Sequence, residues 1–323
     1  MNDYLCPLQQ LEDAASIVYR AMQPTAQYAW PLLCDTLGLK IWVKHENHTP
    51  VGAFKLRGGL AYFDALARGP DRPQGVVTAT RGNHGQSVAF AARRHGLTAT
   101  IVVPRGNSRE KNAAMRAFGA TLVEHGDDFQ AAREHAERLA AERSLLMVPS
   151  FHPLLVHGVA SYSLELLRAV PDLDVAYVPI GLGSGVCGMI AARRALDCKT
   201  EIVGVVSEEA PAYALSFEQR RPVEHPVSTR LADGMACRTP EPAALEILWR
   251  HLARVVRVSD TEIADAMRLI FTSTHNVAEG AGAAGLAAII KERERLQGRK
   301  VAFVLSGGNI DREAYAQVLT ATS

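Results

Sequence analysis

Short runs of β-branched and other apolar residues alternate with Ala- and Arg-rich stretches through most of the chain. In the first half, the predicted elements are strands at 75–80, 98–103, 120–124 and 145–149, and helices at 87–95, 111–118 and 129–143. We expect Ser108 to cap the second of these helices and Gly119 to end it. Strands and helices that alternate in this way predict a parallel sheet covered by helices.

The same alternation resumes in the second half of the chain. The predicted elements there are strands at 175–179, 201–206 and 300–305, and helices at 186–196 and 261–274. Two α/β sheets follow from this pattern, and 323 residues are enough for two domains. The segment 210–240 is rich in Pro and Arg and has weak periodicity, so we expect a long excursion over the surface or near the mouth of a site.

Glycine-rich turns directly follow three of the predicted strands. They lie at residues 81–85, 181–185 and 306–309. In open parallel sheets, ligands bind beyond the carboxyl ends of the strands. The three turns together therefore predict a single ligand pocket.

Charge and composition narrow the classes of partner. Lys plus Arg number 35 and Asp plus Glu 34, so a near-neutral chain without a basic stripe is not expected to bind nucleic acid or anionic lipid. No apolar run approaches the roughly 20 residues that cross a bilayer, and the N-terminus lacks the pattern of a signal peptide. The five cysteines are widely spread without a CxxC pair, which predicts neither a disulfide framework nor a zinc site. We therefore expect a cytoplasmic protein that acts on a small molecule.

The segment 46–58 contains a lysine with the surroundings of a nucleophile. Lys55 lies between Phe54 and Leu56, shortly after Gly52. Apolar surroundings favour the neutral amine, which a lysine needs in order to form a Schiff base. The alternative is a surface lysine whose stem lies along apolar neighbours.

The glycine-rich segment 181–188 is placed where a strand turns into a helix. Such a turn exposes backbone N–H groups at the positive end of the helix dipole, an arrangement that suits a phosphate group. A tight turn without a ligand remains open, as does a dinucleotide site. The second alternative is weakened because Gly181, Gly183 and Val186 give an imperfect GxGxxG spacing.

Taken together, these segments resemble the fold-type II pyridoxal-phosphate (PLP) enzymes, in the serine/threonine dehydratase branch. The segment 46–58 resembles the family's Schiff-base motif, 80–86 its Ser-x-Gly-Asn-His loop, 181–185 its phosphate loop and 305–309 its final motif. The similarity runs in order from residue 32 to residue 309.

The resemblance assigns an expected role to each candidate site residue. Lys55 would carry the cofactor as the catalytic residue, beside Phe54. Asn83 would bond the cofactor's 3′ oxygen, and Ser306 would face its pyridine nitrogen. The expected phosphate-binding residues are Gly181, Leu182, Gly183, Ser184 and Gly185. The residues expected around the substrate are Thr80, Arg81, Gly82 and His84.

The same resemblance implies an α/β fold of the tryptophan synthase β type, with two open twisted parallel-sheet domains and the cofactor between them. Residues 1–57 and 155–323 would form the large domain, and 58–154 the small substrate-loop domain. The expected assembly is a homodimer. The implied reaction is β-elimination from a β-hydroxy amino acid such as threonine or serine, giving a 2-oxo acid and ammonia.

Other substrates and activities remain open from the sequence. The substrate could be 3-hydroxyaspartate or phenylserine, and segments 28–33 and 46–50 also resemble dehydratases assigned to hydroxyectoine use. The same fold also supports β-replacement. An oxidoreductase that binds a nucleotide and a catalytically silent PLP-binding module are the alternatives from other classes.

Several positions depart from the family pattern. Leu182 and Ser184 interrupt the phosphate loop, and Val206 replaces a glutamate that helps to hold a cation in many relatives, so we predict no metal site. Arg81 stands where related racemases carry a catalytic serine. Because a guanidinium does not lose its proton, racemisation is not expected. Arg81 is instead a candidate to bind a second carboxylate, unless it faces solvent or forms a structural ion pair.

Overall fold

The computed structural model describes residues 3–321. In chain order, the strands of this part of the molecule are β1 (Gln27–Tyr28), β2 (Lys40–His45), β3 (Gly75–Ala79), β4 (Thr98–Val103), β5 (Thr121–Glu124), β6 (Leu146–Met147), β7 (Val175–Pro179), β8 (Glu201–Ser207), β9 (Arg254–Val258) and β10 (Lys300–Leu305). They form two sheets. The larger sheet has the order β1-β2-β10-β7-β8-β9, and the smaller has the order β5-β4-β3-β6.

Both sheets are parallel except at one edge. The short strand β1 runs antiparallel to β2, whereas β2, β10, β7, β8 and β9 all run in the same direction. The register of β10 on β2 extends from Lys300 opposite Lys40 to Leu305 opposite His45. The fold is therefore α/β with parallel sheets, as the alternating pattern predicted.

Helices cover these sheets. In chain order the helices of residues 3–321 are α1 (Leu8–Tyr19), α2 (Pro31–Leu37), α3 (Lys55–Arg68), α4 (Asn83–Arg94), α5 (Arg109–Ala117), α6 (Phe129–Glu142), α7 (Pro153–Ala169), α8 (Ser184–Ala195), α9 (Ala212–Gln219), α10 (Pro242–His251), α11 (Asp260–Thr274), α12 (Gly280–Lys291) and α13 (Arg312–Thr320). Among them, none is both long enough and apolar enough to cross a membrane.

Most strand predictions are confirmed, and some helix predictions need correction. Strands β4, β7 and β10 have the predicted bounds, and the Ser108 hydroxyl caps α5 by accepting a hydrogen bond from the Lys111 N–H. Helix α4 begins at Asn83 rather than at residue 87, because the glycine-rich turn is already wound into its first turn. The segment 210–240 is not wholly irregular, since it contains α9.

The core explains why the strands read as continuous apolar runs. Every residue of β3 and β7 is buried, as expected when helices cover both faces of a parallel sheet. One apolar cluster lies on the α7 and α8 side of the larger sheet, and another lies on the α11 and α12 side. A separate set of clusters fills the smaller sheet and its helices.

The strands of the two sheets come from different parts of the chain. All strands of the smaller sheet fall between residues 75 and 147, inside the predicted small domain, and all strands of the larger sheet fall outside it. The predicted boundaries at residues 57 and 155 lie within α3 and α7, so these two helices join the parts. The boundaries themselves stay a prediction.

Candidate active site

The backbone before Lys55 is fixed by a turn at the end of β2. The Thr49 hydroxyl accepts a hydrogen bond from the Ala53 N–H at 2.9 Å and donates one to the Ala53 carbonyl at 2.8 Å. Gly52 has a φ of +69°, a left-handed conformation that glycine adopts without strain. The Phe54 N–H then donates to the carbonyl of Ser306 at 3.0 Å. Lys55 therefore begins α3 from a backbone tied to the turn after β10.

Two glycines allow α3 to lie unusually close to α7. A Cβ atom on Gly158 would lie 2.3 Å from the Arg57 carbonyl oxygen, and one on Gly58 would lie 2.7 Å from the Leu155 carbonyl oxygen. Both distances are shorter than real Cβ contacts, so only glycine fits at the crossing. Close packing brings the Arg57 side chain, two residues after Lys55, against polar groups of α7.

Arg57 is fully buried and bonds two carboxylates at once. Its Nε donates to Glu46 at 2.7 Å and its Nη2 to the same carboxylate at 2.9 Å. Its Nη1 and Nη2 donate to Glu165 at 2.6 and 3.0 Å, and Nη1 also donates to the Ser161 hydroxyl at 2.9 Å. Paired contacts of this kind use the planar fork of the guanidinium on each side.

Lys44 completes the network as its second cation. Its amine donates to the carboxylate of Glu165 and to the backbone carbonyl of Thr25. Burial by itself raises the pKa of Glu165, but Arg57 and Lys44 outweigh burial and lower that pKa. Two cations thus balance two carboxylates away from solvent. We call Lys44, Glu46, Arg57 and Glu165 the buried ion network.

The Lys55 amine is enclosed beside the phosphate-loop candidate. Its Nζ donates to the Ser184 hydroxyl at 3.1 Å and lies 5.3 Å from the centre of the Phe54 ring. Enclosure by protein atoms lowers the pKa of Lys55 to about 8. Because its hydrogen-bond partner is a hydroxyl rather than a carboxylate, little opposes this shift. A substantial fraction of the amine is neutral near physiological pH, as a nucleophilic lysine requires.

The predicted phosphate loop has the backbone that such a loop needs. Gly183 has a φ of +100° and precedes the first residue of α8, Ser184. A Cβ atom on Gly181 would lie 2.3 Å from the carbonyl oxygen of Gly234, so the backbone passes very near this neighbour. The first N–H groups of α8 have no acceptor within the helix and point towards the turn.

The two departures from an all-glycine loop are accommodated. Leu182 packs against the core on the α7 and α8 side, and its carbonyl accepts a hydrogen bond from Tyr213 at 2.9 Å. Ser184 is buried and faces Lys55. Gly185 lies against the ring of Phe54, where an added Cβ atom would be 3.6 Å away. The residues at 181–185 therefore keep an open turn despite the larger side chains.

The predicted substrate loop brings its residues to the start of α4. The Thr80 hydroxyl accepts a hydrogen bond from the Gly82 N–H at 3.1 Å. Asn83 donates to the carboxylate of Glu279 at 2.7 Å and accepts from Asn309 at 2.8 Å. These bonds join the smaller sheet to residues that follow α11 and β10.

His84 has an unused ring nitrogen in the pocket. Its Nε2 is buried and has no hydrogen-bond partner among residues 3–321. Burial, assisted by the positive charge of Lys55, lowers the pKa of His84 to about 3, so the imidazole is neutral. A buried polar atom without a partner is uncommon in proteins, and a bound ligand would satisfy it.

Arg81 lies at the mouth of the pocket. Its side chain is 45% exposed, and its Nη1 is 3.8 Å from the carboxylate of Asp233, a contact too long for a hydrogen bond. The structure thus shows a loose, partly exposed ion pair between Arg81 and Asp233. Both the substrate role and the ion-pair alternative remain compatible with this position.

The backbone of Ser306 lies beside the residue before Lys55, because its carbonyl accepts the Phe54 N–H. It is 3% exposed, and Gly307 forms an isolated bridge with Ala53. An added Cβ atom on Gly307 would be 2.5 Å from the carboxylate of Glu279, which places Glu279 at the same turn. The turns after β3, β7 and β10 therefore meet at one place, as the three glycine-rich segments predicted.

These residues fit the expected cofactor on observations of this chain. The Lys55 amine, whose pKa is lowered, bonds Ser184 at the N-terminus of α8, and its charge acts on His84, whose Nε2 has no partner among residues 3–321. The sequence alone assigned no role to Glu279 and Asn309, which form hydrogen bonds with Asn83, or to Lys111, which lies 3.9 Å from Glu279. It also missed the buried ion network, although a charged Lys44 within an apolar strand was a visible signal.

Comparisons with known proteins agree with this geometry. The family described as "Pyridoxal-phosphate dependent enzyme" matches residues 18–307. An L-threonine ammonia-lyase of Thermotoga maritima is 33% identical over 305 residues, covering 94% of this chain and 76% of the relative. An L-threo-3-hydroxyaspartate ammonia-lyase of Saccharomyces cerevisiae is 30% identical, covering 95% and 94%. Other matched L-threonine dehydratases are longer, and the chain covers 58% to 60% of their length.

The fold is also that of a solved enzyme. The structure of the processed form of threonine deaminase isoform 2 from Solanum lycopersicum superimposes with a TM-score of 0.89 at 25% identity. The match covers 98% of this chain and 95% of that structure.

Replacing Arg57 by Met should destabilise the protein strongly. The change leaves two buried carboxylates with a single cation, and breaking such a pair costs about 3–5 kcal/mol. Arg68→Met on the same helix removes an exposed side chain from Asp64, which keeps its ion pair with Arg20, and should cost about 0–1 kcal/mol. Urea unfolding of the full chain, followed by circular dichroism, compares the two variants. Equal losses for both would contradict the structural weight given to the buried ion network.

Proposed function

The chain belongs to the family of pyridoxal-phosphate-dependent enzymes, and from this premise we propose that it is an ammonia-lyase acting on a β-hydroxy amino acid. The products are a 2-oxo acid and ammonia, and the water lost in elimination is consumed again in hydrolysis. One observation carries the proposal. The enclosed Lys55 amine lies 3.1 Å from Ser184 at the start of α8, where a cofactor phosphate and its aldehyde can both be reached.

Lys55 has two roles in this proposal. Its amine would hold the cofactor, and it would also be the base that removes the proton from the substrate α-carbon. When bound, pyridoxal phosphate supplies the electron-withdrawing ring that makes this proton removable. The lowered pKa of Lys55, about 8, suits a general base near neutral pH.

The remaining residues hold the cofactor and the substrate. The backbone of 181–185, with the Ser184 hydroxyl, would bind the phosphate, and Asn83 would bond the ring oxygen. Ser306 would face the ring nitrogen. Because its hydroxyl is neutral, it would leave that nitrogen unprotonated, which favours prompt loss of a β-substituent over transamination.

Around the substrate, we assign carboxylate binding to the turn formed by Thr80, Gly82 and His84. The neutral His84 imidazole can donate its unused N–H to a carboxylate oxygen. Arg81 stands where related racemases carry a serine, so racemase chemistry at that position is not proposed.

The named relatives share the substrate class, a β-hydroxy amino acid, and differ in the individual substrate. Threonine is supported by the named activity of the Thermotoga relative, and 3-hydroxyaspartate by that of the yeast relative. Serine, phenylserine and a hydroxyectoine-derived substrate remain alternatives, as does β-replacement on the same site. The homodimer, the cytoplasmic location and the domain boundaries at 57 and 155 are likewise kept as predictions.

The direct test is a panel of L- and D-hydroxy amino acids supplied to the purified holoenzyme. Wild-type protein should release 2-oxo acid and ammonia in equal amounts from at least one of them, and Lys55→Ala should lose this activity at least 1000-fold because both roles of the lysine disappear. Adding sulfide should leave the oxo-acid yield unchanged, whereas a β-replacement enzyme would divert it into a thiol product. Keto-acid release by Lys55→Ala at the wild-type rate would overturn the proposal.

Arg81 should determine whether a second carboxylate is accepted. If Arg81 pairs with that group, Arg81→Ala should lower kcat/KM for 3-hydroxyaspartate by about 10- to 100-fold, as expected for a charged hydrogen bond of 1.5–3 kcal/mol. The same change should leave threonine within about threefold. Steady-state kinetics on both substrates measures the difference, and an equal loss on both would remove Arg81 from substrate selection.

A further inference from the structure

The side-chain amide of Asn83 is held from both ends by residues of the larger sheet. Asn309 Nδ2 donates to the Val51 carbonyl at 2.8 Å and to Asn83 Oδ1 at 2.8 Å. A backbone carbonyl can only accept, so the Asn309 atom facing Val51 is its NH₂ group. The atom of Asn83 that meets the same NH₂ group is therefore its oxygen.

The opposite end of the amide meets a carboxylate. Asn83 Nδ2 donates one N–H to Glu279 Oε1 at 2.7 Å. Its second N–H has no protein acceptor among residues 3–321, so it is available for a ligand oxygen. Glu279 thus holds the end of the amide opposite Asn309, and as an ionised carboxylate it can only accept this hydrogen bond.

Glu279 is 5% exposed, and its surroundings oppose its ionisation in part. Burial raises the pKa of Glu279, as does the nearby Asp233 carboxylate, while Lys111 and the Asn83 hydrogen bond act in the opposite direction. Lys111 Nζ lies 3.9 Å from Glu279 Oε2 and 3.8 Å from Asp233, which also faces Arg81. Among these groups, Lys111 is the cation in contact with Glu279.

One cavity of about 100 Å³ is lined by the side chains of Lys111, Asp233, Glu279 and Asn309. The Lys111 side chain is 11% exposed and lies against Gly82, where an added Cβ atom would be 2.8 Å from Lys111 Cδ. Lys111 comes from the smaller sheet's helix α5, so it reaches across to the acids of the larger part.

We propose that Lys111 is a positioning residue which, through the Glu279 carboxylate, holds the Asn83 amide with its free N–H directed to the cofactor. The inference rests on the proposed function for the role of Asn83, and it deepens that role. Lys111 need not touch the substrate or the cofactor. Asn309, Asn83, Glu279 and Lys111 are called the amide relay below.

The test uses the holoenzyme without substrate, so its readouts do not depend on activity. Lys111→Met should weaken pyridoxal phosphate binding about tenfold, the loss of roughly 1.4 kcal/mol from one charge-dependent contact. It should also introduce a pH-dependent change in the visible absorbance of the bound cofactor, absent from wild type, because the Lys111 charge that lowers the pKa of Glu279 is lost while burial and Asp233 still raise it. Lys111→Arg should restore the wild-type spectrum.

Further variants separate positioning from a folding defect. In the Lys111→Met background, Glu279→Gln should abolish the pH dependence, since no titrating carboxyl group remains beside Asn83. Lys199→Met, which removes an exposed lysine, is the matched control and should behave as wild type. A residue that only contacted the substrate would change KM and leave the substrate-free spectrum unaltered.

Two outcomes would overturn the inference. One is a Lys111→Met holoenzyme with wild-type affinity and a wild-type spectrum at every pH. The other is a pH dependence that survives the added Glu279→Gln change. A wild-type protein that binds the cofactor but releases no oxo acid would instead contradict the proposed function, and the binding and spectral tests of Lys111 would still be decisive.

Discussion

The site depends on the buried ion network formed by Lys44, Glu46, Arg57 and Glu165. Four charges without contact to water are tolerated only because they balance and because almost every donor finds an acceptor. Arg57 can meet these conditions in one position alone, with α3 lying against α7 at the Gly58 and Gly158 crossing. Because these contacts hold the Arg57 side chain in place, they also hold the first turn of α3, which begins two residues earlier at Lys55. The network therefore acts as a geometric constraint on the Lys55 amine, whatever its net contribution to stability.

The pocket forms where two separately built sheets present their carboxyl ends to one another. The larger sheet supplies the loop at 181–185 and the turn at Ser306, while the smaller sheet supplies the turn from Thr80 to His84 and, through α5, Lys111. The amide relay joins these halves by direct hydrogen bonds between Asn83, Glu279 and Asn309.

Much of this arrangement could be predicted from the sequence, and the reasons for the remainder are physical. Strands β4, β7 and β10 were found because each is a short run of apolar residues between turn residues, and the three glycine-rich turns marked the pocket because parallel strands end at one edge. The sequence predicts a start of α4 that is too late, because the glycines and asparagine at 82–85 are typical of a loop. A helix N-terminus, however, also accepts these residues. The ion network and the amide relay join residues up to 226 positions apart, which no local pattern can show. Glu279 and Lys111 resemble ordinary surface charges until the fold places them together.

We propose that one enclosed amine, that of Lys55, carries the cofactor. Reduction of the yellow holoenzyme with borohydride, followed by proteolysis and mass mapping, identifies the peptide that carries the pyridoxyl group. The label should be found on the peptide containing Lys55, and the visible absorbance should disappear on reduction. A label on a different lysine, such as Lys44 or Lys111, or a purified protein that takes up no pyridoxal phosphate, would contradict it.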